Sequence, residues 1–480
     1  VSNIHQPTTA YMTALTVSPL NVNRVIQGAL NVIYSVDGGI NFNFGASIHA
    51  DIHELLYNNG ILYAGCDGGV YSSNDNGANW IYISNGLAAT QYYHMSGSEQ
   101  NDNAVIGGTQ DNGYIRRSNT SVFSLTLGGD GFSGKFLNGS TDTYIYSVNA
   151  GVFKHSISTN SNVPLFIGGG NVNNQNFFFP SLEVHPTDNN TLYAGYIDSL
   201  RRSTDGGSTW TAMAGSGSAG FGFAGGMAVS PQNPDRLYIA SGGTLSISNN
   251  KGTTQTVISG NPGWTGVTGS ITDVTSRPNS ADEVWVTFGG FTGTKVLYSS
   301  NAGASWVNYT GSLPNLPVYC IKYSSSGDAY IGTDYGVYVM TIAMNDWTAF
   351  YNGLPNIPVT DLFVNETDGT IKAATFGRGI WQSDLYSNCG AFLFPLTGTV
   401  QGRRFYQASN TVQSTQQMSG NLGNELRYRS PEKIRLTNGF KASAGSYFHA
   451  IIGACGQGVF NRNDTIVLSK MDAMPVTNKQ

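Results

Sequence analysis

Charge is scarce in this chain. Asp, Glu, Lys and Arg together supply 11% of its 480 residues, under half of the roughly 25% usual in globular proteins. The net charge is −5 and lysine and arginine form no cluster. Nothing therefore supplies the phosphate neutralisation that nucleic acid or an anionic membrane surface demands. Four cysteines are too few for a disulfide scaffold. No apolar run reaches the roughly 18 residues of a bilayer-spanning helix, and neither HExxH nor CxxC appears, so no cofactor is implied. The chain opens at Val1 without Met or a signal-peptide core, from which either a processed N-terminus or further residues before Val1 are expected.

What is abundant points one way. Glycine reaches 61 residues, and Asn, Ser and Thr fill much of the remainder. That is the surface of an extracellular β-protein, wetted by amides and hydroxyls. Within it one octapeptide recurs: "SVDGGINF" (Ser35, Asp37, Gly39, Phe42), "SNDNGANW" (Ser73, Asp75, Gly77, Trp80) and "STDGGSTW" (Ser203, Asp205, Gly207, Trp210). Weaker copies, "SNNKGTTQ" at 248–255 and "SSNAGASW" at 299–306, put Asn in place of Asp, and a remnant ends at Trp347. The chemistry is that of a stapled turn, in which Asp accepts backbone N–H groups, Gly takes a positive φ and the aromatic fills an apolar gap. Between staples lie short β-branched and aromatic runs such as "ILYAG", "TLYAG", "RLYIA" and "AYIGT", each followed by a turn and another strand. Four short strands every 40 to 45 residues or so is the spacing of propeller blades, with roughly nine units between residues 13 and 385. The fold class is therefore all-β: a propeller of about 7–10 four-stranded blades over residues 1–386, then a small all-β domain over 387–457 and a polar tail over 458–480.

These octapeptides are the Asp-box motif, and the chain resembles the Asp-box propeller families, which include sialidases, xyloglucanase-type glycoside hydrolases and sortilin-type receptors. It is most similar to secreted Asp-box propellers of Bacteroidota, on "HADIH" at 49–53, "CDGGVYSSNDNGANW" at 66–80, "GLAATQYYHM" at 86–95, "GGTQDNG" at 107–113, "GGDG" at 128–131 and "AATFGRGIW" ending at Trp381. That family usually reads HxDQH in the first element, from which Ile52 departs. The segment "YRS", "IRL", "NGFKASAGSYFHA" up to Cys455 resembles the three-coathanger stack domain appended to many such proteins, with Ile434, Leu436, Phe440, Phe448, Ala450 and Ile452 facing inward and Gly439 and Gly445 at corners. The resemblance implies secretion or cell-surface display through the type IX machinery. It also implies O-glycosylation where Asp-Ser/Thr precedes an aliphatic residue, at Ser199 and Thr465. Cys389 and Cys455 bracket one C-terminal segment that a disulfide would clasp in an oxidising compartment, while Cys66 and Cys320 read as buried thiols.

Three constellations are candidates for chemistry. His49, Asp51 and His53 alternate, which on a strand would set two imidazoles and a carboxylate on one face as metal ligands. The alternative, and the expectation, is a structural role on the innermost strand of a blade. Asp67, Asp111, Asp198 and Asp334 each open a turn between second and third strands, with Arg378 at the related position of the last blade. Together they would form an acidic ring on the ligand face and could hold the acid and base of a glycosidase, although Asp-Gly and Asp-Asn-Gly also make plain hairpin turns. Tyr92, Tyr93 and Trp264, with Phe177, Phe178 and Phe179, could make a carbohydrate platform or simply pack in the core. No arginine trio with a Tyr/Glu pair is evident, which argues against sialidase chemistry. The expected function is a binding, adhesion or surface-assembly module. Its partners would be a glycan, a cell-surface protein or further copies of itself. The alternative is a xyloglucanase-like hydrolase of a β-linked polysaccharide.

Overall fold

The structure is a computed structural model. It describes residues 14–118, 123–149, 151–165, 181–195, 200–214, 226–324, 327–341, 344 and 346–386, and in the C-terminal part 392–400, 403–408, 410–418, 425–430, 432–444, 446–452 and 461–462. Among these residues there is no helix, and nine sheets have four antiparallel strands each. The chain divides into two units, residues 1–89 and most of the remainder.

The larger unit is a closed ring of seven blades, at 92–127, 131–165, 181–212, 227–257, 271–308, 318–349 and 359–384. The innermost strand of each blade touches that of the next. The last, Val359–Asn365, packs on the first, Tyr92–Ser98. Asn461–Arg462 pairs with Trp381 and Gln382 and supplies the outermost strand of the seventh blade, so part of the segment expected to be a polar tail belongs to the ring. Between Phe392 and Ile452 three sheets of three parallel strands interleave, each sheet taking every third strand of the chain. Ile434, Phe440 and Phe448 turn into their core beside Leu426 and Tyr428. Leu436 and Ile452 instead end their strands exposed, at 43% and 64%, and Ala450 is exposed as well.

The smaller unit holds two blades, 14–44 and 52–82, joined by a core of Ile26, Val32, Ile52, Leu55, Leu62 and Ala64. The nine four-stranded repeats therefore fall in two units: seven close the ring and two make up the smaller unit. The side chains record the difference. Leu182, Val184, Met227 and Val229 on innermost strands of the ring are 1%, 7%, 2% and 8% exposed. In matching register Leu15 and Val17 of the two-blade unit are 65% and 47% exposed.

Blade packing follows from strand alternation, which sends successive side chains to opposite faces. On the second strand of four successive ring blades one register position is Tyr193, Tyr238, Trp285 and Tyr330, each 0–3% exposed. Large aromatics fill the widening gap between blades at that radius. In the seventh blade the same position is Lys372.

Candidate binding face

The stapled turns lie on one side of each blade, between third and fourth strands. Ser35, Ser73 and Ser203 each donate to an Asp carboxylate at 2.7–2.8 Å and accept the N–H of Gly39, Gly77 or Gly207 at 2.8–2.9 Å. Asp37, Asp75 and Asp205 accept the backbone N–H four residues on at 2.8–2.9 Å, and the side chain of Asn41, Asn79 or Thr209 at 2.6–2.7 Å. These bonds, that of the Asn41 amide first, lower the Asp37 carboxyl to about 2. The Thr209 hydroxyl and amide do the same at Asp205, also to about 2. Trp210 donates its indole N–H back to Gly207 O at 3.0 Å, whereas Phe42 is half-buried. Every one of these carboxylates serves its own turn.

The opposite side carries the turns between second and third strands. Of the four acidic candidates, Asp67 belongs to the two-blade unit, Asp198 lies outside the described residues, and Asp111 and Asp334 belong to the ring. Asp334 accepts the Tyr319 hydroxyl at 2.9 Å. Asp111 sits at φ 56° and donates its N–H to Asp130 Oδ1 at 3.0 Å. Asp130 in turn is braced by Asn149 at 2.9 and 2.7 Å. Burial pushes the neighbouring Tyr93 phenol up to about 12, with Asp130 and Asp111 adding to it. Asp130 was missed as a candidate because "GGDG" reads as a plain turn. Around the ring the same face shows Gly242 and Gly243, a longer loop at 289–295, Asp334 with Tyr335, and Arg378.

The remaining candidates are placed differently from the sequence reading. Asp51 adopts φ 62° and the strand starts only at Ile52, so His49, Asp51 and His53 do not alternate along one strand face. His53 Nε2 meets Asp67 Oδ1 at 2.6 Å, and His49 Nδ1 is 3.1 Å from Ala50 O. A Cβ on Gly68 would fall 2.4 Å from the His49 ring, so this histidine packs on the Asp67 turn. Tyr92 is fully buried, Tyr93 stacks on Phe132 at 5.4 Å, and Trp264 meets Trp306 edge-on at 5.0 Å. Tyr92 is therefore core, whereas Tyr93 and Trp264 are half-buried. Phe177, Phe178 and Phe179, the pair Cys389 and Cys455, and Ser199 and Thr465 lie outside the described residues. Cys320 is fully buried. Cys66 is only half-buried, and burial raises its thiol to about 11.

The sequence reading also missed the wall of the central channel, which encloses about 570 Å³. Asp273, Lys322, Asp361 and His94 line it, one from each of four successive innermost strands. Lys322 Nζ lies 2.9 Å from Asp273 and 3.3 Å from Asp361, and His94 Nδ1 is 3.4 Å from Asp361. Burial would raise the Asp361 carboxyl, but Lys322 and His94 outweigh it and hold it well below the usual range. Asp273 is displaced upward by burial despite Lys322. Each aspartate also accepts a backbone N–H from the next blade, Ile321 at 2.9 Å and Met95 at 3.1 Å. The threonine before it donates to a carbonyl of that blade, Thr272 to Val318 at 2.6 Å and Thr360 to Tyr92 at 2.8 Å. The signal in the sequence was the repeated "ITDV" and "VTDL" at 271–274 and 359–362.

No family profile and no curated protein matches the chain. Among solved structures it is similar to an ancestral GH74 enzyme, at 12% identity and TM-score 0.49, over 64% of this chain and 46% of that one. It is also similar to the GH74 enzyme of Niastella koreensis, at 13% and 0.34, over 78% and 75%. YCF48 from Cyanidioschyzon merolae follows at 14% and 0.32, over 70% and 96%. The chain thus spans under half the length of the ancestral GH74 enzyme. At such identities and scores these likenesses carry no argument about function, and the propeller rests on the ring of four-stranded sheets itself.

Proposed function

We propose that this chain is a secreted or cell-surface binding propeller, whose ligand face carries the turns between second and third strands and engages a glycan or a protein. The observation that carries the reading is the placement of the acidic candidates. Asp334 is tied to a tyrosine of its own blade, and Asp67 is tied to His53. A glycosidase needs two carboxyl groups facing one bond, some 5 to 9.5 Å apart. The amide- and hydroxyl-rich surface supports export, and type IX secretion, O-glycans at Ser199 and Thr465 and assembly between copies belong to the same proposal.

One observation favours the second reading, hydrolysis: the Asp111 amide rests on the Asp130 carboxylate beside Tyr93. Incubation with a panel of plant and microbial polysaccharides separates the two. The binding reading expects retention of one or more polymers with no new reducing ends. Release of reducing ends, abolished by Asp111→Asn or Asp130→Asn in a folded variant, would replace it with hydrolysis.

A further inference from the structure

The loop 289–295 of the fifth ring blade is built unlike its counterparts. It is longer than the neighbouring turns and every side of it is fastened. Gly289 N–H donates to Ser270 O at 3.0 Å, and Thr294 N–H to Gly266 O at 2.8 Å. The Thr294 hydroxyl donates to Thr265 O at 2.9 Å, and that of Thr268 to Thr292 O at 2.9 Å. Beneath the loop Lys295 is 0% exposed, and its ammonium donates to Gly290 O at 2.6 Å and Thr292 O at 3.1 Å. Among the described residues it has no carboxylate partner, and burial draws its pKa down. Burying a lysine on carbonyls alone is costly, and here it fixes one loop conformation. Gly293 at φ 77° admits the closest approach, since a Cβ there would fall 2.4 Å from the Thr268 hydroxyl.

A loop held this firmly still leaves its one large apolar side chain, Phe291, 62% exposed. On the adjacent blade and the same face, Tyr335 is 40% exposed at a turn pinned by Asp334 N–H on Pro317 O at 3.1 Å. Its ring rests edge-on against Tyr351 at 5.7 Å.

We propose that Phe291 and Tyr335 form a pre-ordered aromatic platform for a neutral β-linked oligosaccharide. The proposal rests on the binding reading and assigns it a ligand class and a place. Equatorial β-links give each pyranose a flat C–H face, which packs on an aromatic ring, and an extended chain suits stacking points on neighbouring blades. The loop around Phe291 offers hydroxyls from Thr265, Thr268 and Thr292 and no ion, which fits a sugar better than a charged polymer. A protein hot spot would bring further apolar groups around the anchor, and on this loop glycine and threonine flank it. Rigidity then limits the ordering cost of association.

Calorimetric titration of the intact protein with cellohexaose, and with α-linked maltohexaose as control, tests this. Expected is binding of cellohexaose over maltohexaose, weakened about tenfold or more by Phe291→Ala and less by Tyr335→Ala, with near-ultraviolet dichroism unchanged. Lys295→Met should weaken binding through loss of loop order even where the melting temperature holds. Cellohexaose bound equally by the protein and folded Phe291→Ala overturns the platform but leaves the binding reading standing. Failure of cellohexaose while another polysaccharide or a protein binds overturns the β-linked ligand class alone. Failure of every polysaccharide and of surface proteins sinks both.

Discussion

Asn250 and Asn301 show what the stapled turn requires of its central residue. Each accepts the N–H four residues on at 2.9 Å, as an aspartate would, and donates its amide to a hydroxyl, Thr254 at 2.9 Å or Ser305 at 2.8 Å. The acceptor oxygen is essential and the charge is not. Asp205, whose partner is the Thr209 hydroxyl, should therefore tolerate Asn and not Ala. Its folded pKa is lowered from 3.8 to about 2. The carboxylate thus contributes stability that is fully present above the unfolded value and lost as pH falls through the folded one. Melting curves at pH 7 and pH 3 should show Asp205→Asn folded at both and losing less stability on acidification than the parent, with Asp205→Ala weaker at pH 7. Equal acid sensitivity in the Asn variant would refute the pKa argument. These turns were legible in the sequence because the bonds of their Ser and Asp side chains fall within the octapeptide itself. For His49, Asp51 and His53 the strand alternation on which the metal alternative depended is absent, because Asp51 takes a positive φ before the strand begins.

Strands and blades were legible from the spacing of "YAG"-type runs, but the latches between blades were not. An Asp inside a strand pattern signals a turn in sequence, and the reason it stands there is a register shift between Ile271 and Asp273, and again between Val359 and Asp361. The extra residue turns Thr toward the next blade's carbonyl and Asp toward its N–H. Three substitutions follow at this scale, all read by urea unfolding. Thr360→Val should cost about 1 kcal/mol, the net worth of one hydrogen bond, and Thr272→Val about the same at its own junction. Asp361→Ala should cost more, about 2–3 kcal/mol, because the Lys322 ammonium and the Met95 N–H each lose an acceptor while Asp273 stays on the lysine. Equal costs for Thr360→Val and Asp361→Ala would show that Lys322 does not depend on the closing blade.

At the scale of the whole molecule the seventh ring junction differs from the others. Where four blades present a buried Tyr or Trp, the seventh presents Lys372, fully buried and paired with Asp102 of the first blade. Asp102 also accepts Thr370 Oγ1 and Gln382 Nε2 at 2.9 Å each. Burial alone would raise this carboxyl, and Lys372 and these partners hold it low. A buried ion pair adds little net stability against a packed apolar pair, yet it selects a partner and a register. Nine similar blades make such selection necessary, and the pair marks the one blade that must meet the first. No repeat count reveals this, since a lysine in a β-run reads as a solvent-facing residue. Lys372→Met should cost about 3–5 kcal/mol by stranding Asp102, and Lys372→Met/Asp102→Leu should regain most of it. A binding face made of turns on seven blades is only as fixed as this closure. Hydrogen–deuterium exchange on the intact protein reads it directly. The account predicts that strands Tyr92–Ser98 and Val359–Asn365 exchange as slowly as Ile271–Ser276 and Val318–Tyr323, and that Lys372→Met accelerates the first two alone. Fast exchange of both closing strands in the unaltered protein, beside slow exchange elsewhere in the ring, would contradict it.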